Sequence, residues 1–339
     1  MRKDKLKFLQ IGLGSMGKRR IRNLLYNGIK SEQIFGFDII NNRCIEVKKL
    51  HNIKTTNNYK DALKFNPDVF VISTPPDAHS KYFLKAVKDK KHVFVEHPTV
   101  DTGYEKMLKL LDGSFVAAPS CSWRFHPAVK KLKEIVVKEK IGKILSFQYH
   151  MGQYLPNWHP WEDYRKVYFS KKITGACREM FTFELGWLSY ILNLKTIKIG
   201  GFTKKISDLD MSADDIYSAV ASFKNNIIGT MVIDLLSKKT FRTLRIIGSD
   251  GVLEWEWLDN EIKLFEAKNK KTQIIKLTKG HSEKNYVTTE NMYEEEIKFF
   301  LDAISKKKKY PFTFKENHHY LKTMFALEKS SKSGKIIFV

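Results

Sequence analysis

The stretch from Leu6 to Asp38 limits what this chain can fold into more than any other part of it. Leu6–Ile11 reads as a short buried strand that runs into Gly12-Leu13-Gly14-Ser15-Met16-Gly17. Ile21, Leu24 and Leu25 follow at helical spacing, Gly28 closes that stretch, and Gln33–Asp38 is a second strand ending in an acid. Gly-x-Gly-x-x-Gly after a strand and opening a helix, with an acid some 20 residues on, is the pattern of a dinucleotide seat. Gly12 permits the tight turn, Gly14 lets a pyrophosphate approach the backbone, and Gly17 allows close helix–strand packing. The helix start at Ser15 and Met16 turns N–H groups and the positive dipole end towards phosphate. Asp38 can accept both hydroxyls of an adenosine ribose and repels a 2′-phosphate, which favours NAD over NADP; Arg43 softens that preference.

Composition narrows the class. A chain of 339 residues, 42% of them hydrophobic, is long enough for two domains with a sizeable core. Cys44, Cys121 and Cys177 lack metal or redox spacing, which argues against a disulfide framework and points to a reducing compartment, the cytoplasm. No apolar run reaches the length of a membrane span, and the apolar stretch near the N-terminus is read as the first strand, not a leader. The formal charge of +23 comes from lysines spread along the whole chain, with Lys306–Lys309 the one dense block. No nucleic-acid motif accompanies them, so nucleic acid is not expected as a partner; a negatively charged small substrate stays open.

After Asp38, Asn42–Leu50, Asp61–Phe65, Ala78–Asp89 and Tyr104–Leu111 read as helices; Val69–Ser73, His92–Val95 and Phe115–Ala118 read as strands. This alternation specifies an N-terminal, doubly wound parallel sheet, so the loops at Gly12–Gly17, Ser73–Pro76 and Glu96–Pro98 face one crevice beyond the strand ends. The alternation stops near Pro119-Ser120, giving domains 1–120 and 121–339. The second half opens with an amphipathic helix over Pro127–Lys140. It continues as strands at Ile144–His150, Thr196–Phe202, Tyr217–Phe223, Ile227–Asp234, Thr243–Ile247 and Gly251–Trp257, with turns at Asn225-Asn226 and Ser249–Gly251. Tyr293–Ile304 and Glu316–Ser331 are closing helices. The class is α/β, a Rossmann sheet plus an α+β domain with a large, mostly antiparallel sheet. One face of that sheet is expected to make a homodimer or homotetramer contact.

Several runs together resemble the Gfo/Idh/MocA oxidoreductase family over nearly the whole chain: Ile11–Gly17, Ser73–His79, His92–Pro98, Trp123–Pro127, Gly152–Pro160 with Asp163–Arg165, and Ile246–Trp255. The resemblance implies NAD held by the glycine loop and by Ser73, Thr74, Pro75, His79 and Glu96. It also implies hydride transfer at a carbinol of a sugar, an inositol or a nucleotide sugar. The sequence departs from the family at the chemistry. Members carry Glu-Lys-Pro where this chain has Glu96-His97-Pro98, and a histidine where this chain has Phe183. The family's aspartate falls on Met180, or on Glu179 with a small shift.

The remaining candidates follow from chemistry. Oxidising an alcohol needs a base for the hydroxyl proton, and a histidine titrating near its ordinary ~6.5 serves in either direction. His97 is that candidate, or else it only hydrogen-bonds cofactor or backbone. Glu96 positions the nicotinamide ribose or orients His97. Glu179 is a second catalytic candidate, and Arg178 holds a substrate anion or pairs with Glu179. Arg124 binds the carboxamide or makes an interdomain ion pair. Tyr154, Trp158, Tyr164 and Arg165 offer the aromatic faces and basic tip that suit a sugar ring, and His126 and Phe183 complete the substrate set. Without a second ligand at metal spacing near His159, no metal is expected.

Overall fold

In the computed structural model, which describes residues 5–283 and 288–339, the first six strands alternate with helices. They are β1 (Phe8–Ile11), α1 (Ser15–Tyr26), β2 (Ile34–Phe37), α2 (Asn41–His51), β3 (Lys54–Thr56), α3 (Tyr59–Lys64), β4 (Val69–Ile72), α4 (His79–Lys88), β5 (His92–Val95), α5 (Tyr104–Leu110) and β6 (Ala117–Pro119). β1 and β4 are buried at every residue, which is why they read as continuous apolar runs. All neighbours are parallel, in the order β3-β2-β1-β4-β5-β6. Strand order reverses between β1 and β4, so ligands are expected at the carboxyl ends there.

The chain continues through α6 (Pro127–Val137), β7 (Ile144–Gly152), α7 (Ala176–Leu192), β8 (Thr196–Lys204), β9 (Ile216–Phe223), β10 (Ile228–Asp234), β11 (Phe241–Gly248), β12 (Gly251–Glu256), β13 (Glu261–Glu266) and β14 (Lys271–Lys276). It closes with α8 (Asn291–Ile304), α9 (Phe314–Ser333) and β15 (Ile337–Phe338). The second sheet runs β14-β13-β12-β11-β7-β10-β9-β8-β15, antiparallel except where β7 lies beside β10. Its central strands β7, β11 and β12 alternate: Phe147, Tyr149, Met151, Leu244, Ile246, Leu253 and Trp255 are buried, while the residues between them face the other way. Asn225 and Asn226 both take positive φ, as the turn between β9 and β10 requires.

Two compact units result: 1–125 with 281–318, and 126–280 with 319–339. A single cut at residue 120 misses the return of 281–318 to the first unit. That segment belongs there because α8 buries Met292, Ile297, Phe300 and Leu301, and packs the Phe300 ring edge-on against Phe94 of β5, the centroids lying 5.4 Å apart. β3, β13, β14 and β15 were not expected from sequence. β14 is exposed along nearly its whole length, so it has no buried face to generate a period-two pattern.

The second unit's core contains a charged cluster. Glu184 of α7 is fully buried and accepts from the Tyr149 hydroxyl at 2.6 Å and the Arg242 Nε at 3.1 Å, with Trp187 Nε1 also donating. It is therefore a core anchor. Glu184→Ala would leave Arg242 buried without its carboxylate, and should cost about 3–5 kcal/mol in urea unfolding. A loss below about 1 kcal/mol would contradict this role.

Candidate active site

The rim at the carboxyl ends of β1, β2, β4 and β5 carries the predicted cofactor residues. Gly12 has φ +86°, and a Cβ there would stand 2.4 Å from the Ser73 carbonyl oxygen. A Cβ on Gly17 would stand 1.9 Å from the Gly12 carbonyl oxygen. Gly14 differs: a Cβ would meet only the Arg43 guanidinium, at 3.6 Å. The chain's own packing thus demands the first and third glycines but not the second, as expected if Gly14 is small for a ligand's sake. Gly14 is the N-cap of α1, where no side chain caps the helix and no acid sits in the first turn. Ser15 and Met16 follow it as the opening residues of that helix, whose N–H groups suit phosphate.

Asp38 is buried, and the backbone N–H groups of Leu13 and Ile40 hold its carboxylate at 2.7 and 2.9 Å. A carboxylate has about four acceptor positions, so capacity for ribose hydroxyls remains. Arg43 Nη1 lies 3.7 Å from it. On β4's loop, Ser73 Oγ accepts from Gln10 Nε2 at 3.1 Å. His79 donates from Nε2 to the Thr74 carbonyl at 2.8 Å, just after Pro75. Thr74 Oγ1 and His79 Nδ1 are buried polar atoms with no protein hydrogen-bond partner, which buried polar groups rarely tolerate without water or ligand. Together these observations fit a bound dinucleotide.

His97 lies behind this rim and is 6% exposed. Burial, then the neighbouring His79, push its imidazole down to about 3, against a hydrogen bond to the Ser120 backbone that works the other way. His79 is pushed down to about 4, chiefly by burial. Glu96 is held by Arg20, at 2.5 Å from Nε and 3.0 Å from Nη2. Sequence reading missed Arg20 and its second acid, Glu296. The available signal was Arg20 one turn into the helix after Gly17, and three consecutive acids, Glu294–Glu296, inside a mostly apolar helix.

Arg124 is buried. Its guanidinium donates to the Pro311 carbonyl at 2.6 Å, lies 3.7 Å from Glu316 and covers the Phe312 ring, all within the first unit.

The second unit places the substrate candidates unevenly. His126 is a helix cap: its Nδ1 accepts from the Ala128 N–H at 3.2 Å, and burial followed by Arg242 and Lys130 pushes it down to about 3. Arg178 does not pair with Glu179. It grips Glu328 at 2.7 and 3.3 Å and donates to the Ile173 carbonyl, so its charge is already matched. Arg165 is paired with Asp163 in the same way, at 2.8 and 2.9 Å, and Tyr164 accepts through its hydroxyl from the Asp210 N–H. Tyr154 carries Lys238 over its ring, 3.1 Å from the centroid, and Trp158 packs near Phe169. Glu179 and Phe183 are half-buried on α7, Glu179 in its first turn. The cysteines are free and buried, and no cluster of three or more metal-type side chains occurs among the described residues. A concavity of about 560 Å³ on the nine-stranded sheet is lined by His150, Thr230, Arg245, Glu254 and Lys263, and by none of the predicted site residues.

Comparison with known proteins follows the same division. The family described as "Oxidoreductase family, NAD-binding Rossmann fold" matches residues 6–112, and "GFO/IDH/MocA C-terminal domain" matches residues 129–254. Levoglucosan dehydrogenase of Pseudarthrobacter phenanthrenivorans is 33% identical over 98 residues, 27% of this chain and 24% of that protein. Oxidoreductase P35 of Formosa agariphila is 24% identical over 148 residues, 42% of this chain and 46% of that protein. The chain thus matches less than half the length of either relative. A solved levoglucosan dehydrogenase in complex with NADH shares the fold, with TM-score 0.85 and 16% identity over 98% of this chain and 99% of that one.

Two predictions follow from this geometry. Gly14→Ala should leave stability within about 1 kcal/mol yet weaken NADH at least tenfold, whereas Gly17→Ala should destabilise the fold itself. Equal stability losses at the two positions would contradict the distinction. His79, His97 and His126 should also make stability pH-dependent. The unfolded chain takes up their protons near ~6.5, but the folded chain does so only near 3–4, so stability falls as pH drops through that window. By pH 5 the loss should be roughly 2 kcal/mol per histidine in urea unfolding. His126→Asn, which keeps a capping acceptor, should remove about a third of that slope. Unchanged wild-type stability between pH 7 and pH 5 would contradict the burial of these histidines.

Proposed function

Because this chain belongs to the Gfo/Idh/MocA family of NAD-binding oxidoreductases, we propose that it is a dehydrogenase acting on a carbinol of a sugar, an inositol or a nucleotide sugar, with His97 in the family lysine's place. The observation that carries this reading is Gly14: a residue kept small beside a helix N-terminus and an anchored Asp38, where the chain's own packing does not require it. NAD, when bound, accepts or returns the hydride. The likeness to levoglucosan dehydrogenase, though partial, supports a sugar as the other reactant.

The chain's own residues have separable tasks. The start of α1 and the Gly12–Gly17 loop bind the pyrophosphate, Asp38 the adenosine ribose, and the Ser73–Pro75 loop with His79 lines the seat. His97, held neutral across the physiological range, accepts the hydroxyl proton in the oxidising direction. It is not charged near neutral pH, so it is a poor proton donor for the reverse direction. Within the second unit, Tyr154, Trp158, Glu179 and Phe183 are assigned to the sugar, with Glu179 as the second acid/base candidate. Arg165 and Arg178 are committed to carboxylates, which favours a substrate without a phosphate or carboxylate at those positions. A homodimer or homotetramer through the open face of the nine-stranded sheet is part of the same proposal.

The depressed basicity of His97 also favours a second reading, a cofactor-binding protein of this fold with little redox activity. Nicotinamide absorbance decides between them, measured with NAD and a panel of neutral sugars, cyclitols and nucleotide sugars. The dehydrogenase reading expects turnover that His97→Ala lowers by about 10²–10⁴. With the base at about 3, kcat/KM for oxidation should stay level from about pH 8 to about pH 5. A limb near ~6.5 would show that His97 titrates as an ordinary histidine, and an unaffected variant would remove it from the mechanism.

A further inference from the structure

One side chain from α1 ties together the strand ends that form the rim. Arg20 is fully buried, with its guanidinium 4.6 Å from the centroid of the Phe94 ring. Nε and Nη2 grip the two oxygens of Glu96 at the end of β5. Nη1 donates to Glu296 of α8 at 2.7 Å, and Nη2 to the Ser120 hydroxyl beyond β6 at 3.0 Å. Glu296 in turn accepts the Cys121 N–H, and Ser73 Oγ, after β4, donates to Glu96 at 3.4 Å.

The arrangement is more than a fastening for α8. Arg19 already pairs with Glu290 at 2.8 Å, and Asn27 donates to the Glu294 carbonyl at 3.0 Å, so that helix has other ties to α1. A buried ion cluster is also a poor route to stability alone, since apolar residues of like volume often do as well. What a guanidinium supplies is direction: a planar fork that fixes a carboxylate in orientation as well as distance. Burial alone would lower Arg20, but Glu96 and Glu296 more than offset it and keep the fork charged.

We propose that Arg20 is a positioning residue: by holding Glu96 on one side and Glu296 on the other, it fixes the Glu96–Pro98 turn and so sets His97 at the nicotinamide end of the cofactor seat. This rests on the NAD reading above. It predicts that loosening the fork affects the nicotinamide half of the cofactor and spares the adenosine half.

The test compares NADH, titrated by its own fluorescence, with ADP-ribose, titrated by competition, on the full chain. Arg20→Lys keeps the charge and loses the fork. It should weaken NADH about tenfold while ADP-ribose stays within about twofold. Glu296→Gln should shift the ratio in the same direction by a smaller factor, and it decides the matter if Arg20→Lys does not fold. Parallel weakening of both ligands, or no change in either, would overturn the proposal and leave Arg20 a structural residue. Failure of the wild-type protein to bind NADH would overturn the NAD reading, and this proposal with it.

Discussion

The close passage of α1 over the first strand is the constraint on which the first unit depends. Gly17 and the Gly12 carbonyl come so near that no side chain fits between them. That contact sets the helix start at the carboxyl end of β1, beside the Ser73 carbonyl and in reach of Asp38, whose carboxylate the Leu13 N–H holds. The same helix then projects Arg19 and Arg20 to the returning segment and to the β5 turn. One packing requirement therefore places both the polar lining of the seat and the residues that brace it.

The interior around the rim is costly in a specific way. Burial keeps His79 and His97 neutral and commits Arg20 to two acids, so the unit gains direction and loses ease of protonation. The buried His97 imidazole, proposed to stand in the family lysine's place, is a weak base that seldom carries a proton. The second unit follows similar electrostatics: Arg178, Arg165 and Arg242 each meet a carboxylate, which leaves aromatic faces and Glu179 as the polar and stacking groups proposed for substrate.

Much of the fold was legible because its signals are local. The glycine loop, the acid after β2 and the continuous apolar strands each state their structure within a few residues, and the parallel sheet followed from their alternation. The exposed edge strand β14 carried no such signal. The site was less legible because its arginines choose partners far along the chain. Arg20 meets Glu296 across 276 positions and Arg178 meets Glu328 across 150, separations over which a linear sequence gives no pairing rule. A histidine just before a helix-starting proline reads equally as a ligand or as a cap, and it takes the Ala128 N–H on the His126 ring to show the cap.

The account stands on a seat built for NAD. The most direct measurement is calorimetric titration of the purified protein with NADH and with NADPH at one ionic strength. The account predicts saturable NADH binding, at least about tenfold tighter than NADPH, because the buried Asp38 carboxylate opposes a 2′-phosphate. Binding of neither nucleotide, or tighter binding of NADPH, would contradict it.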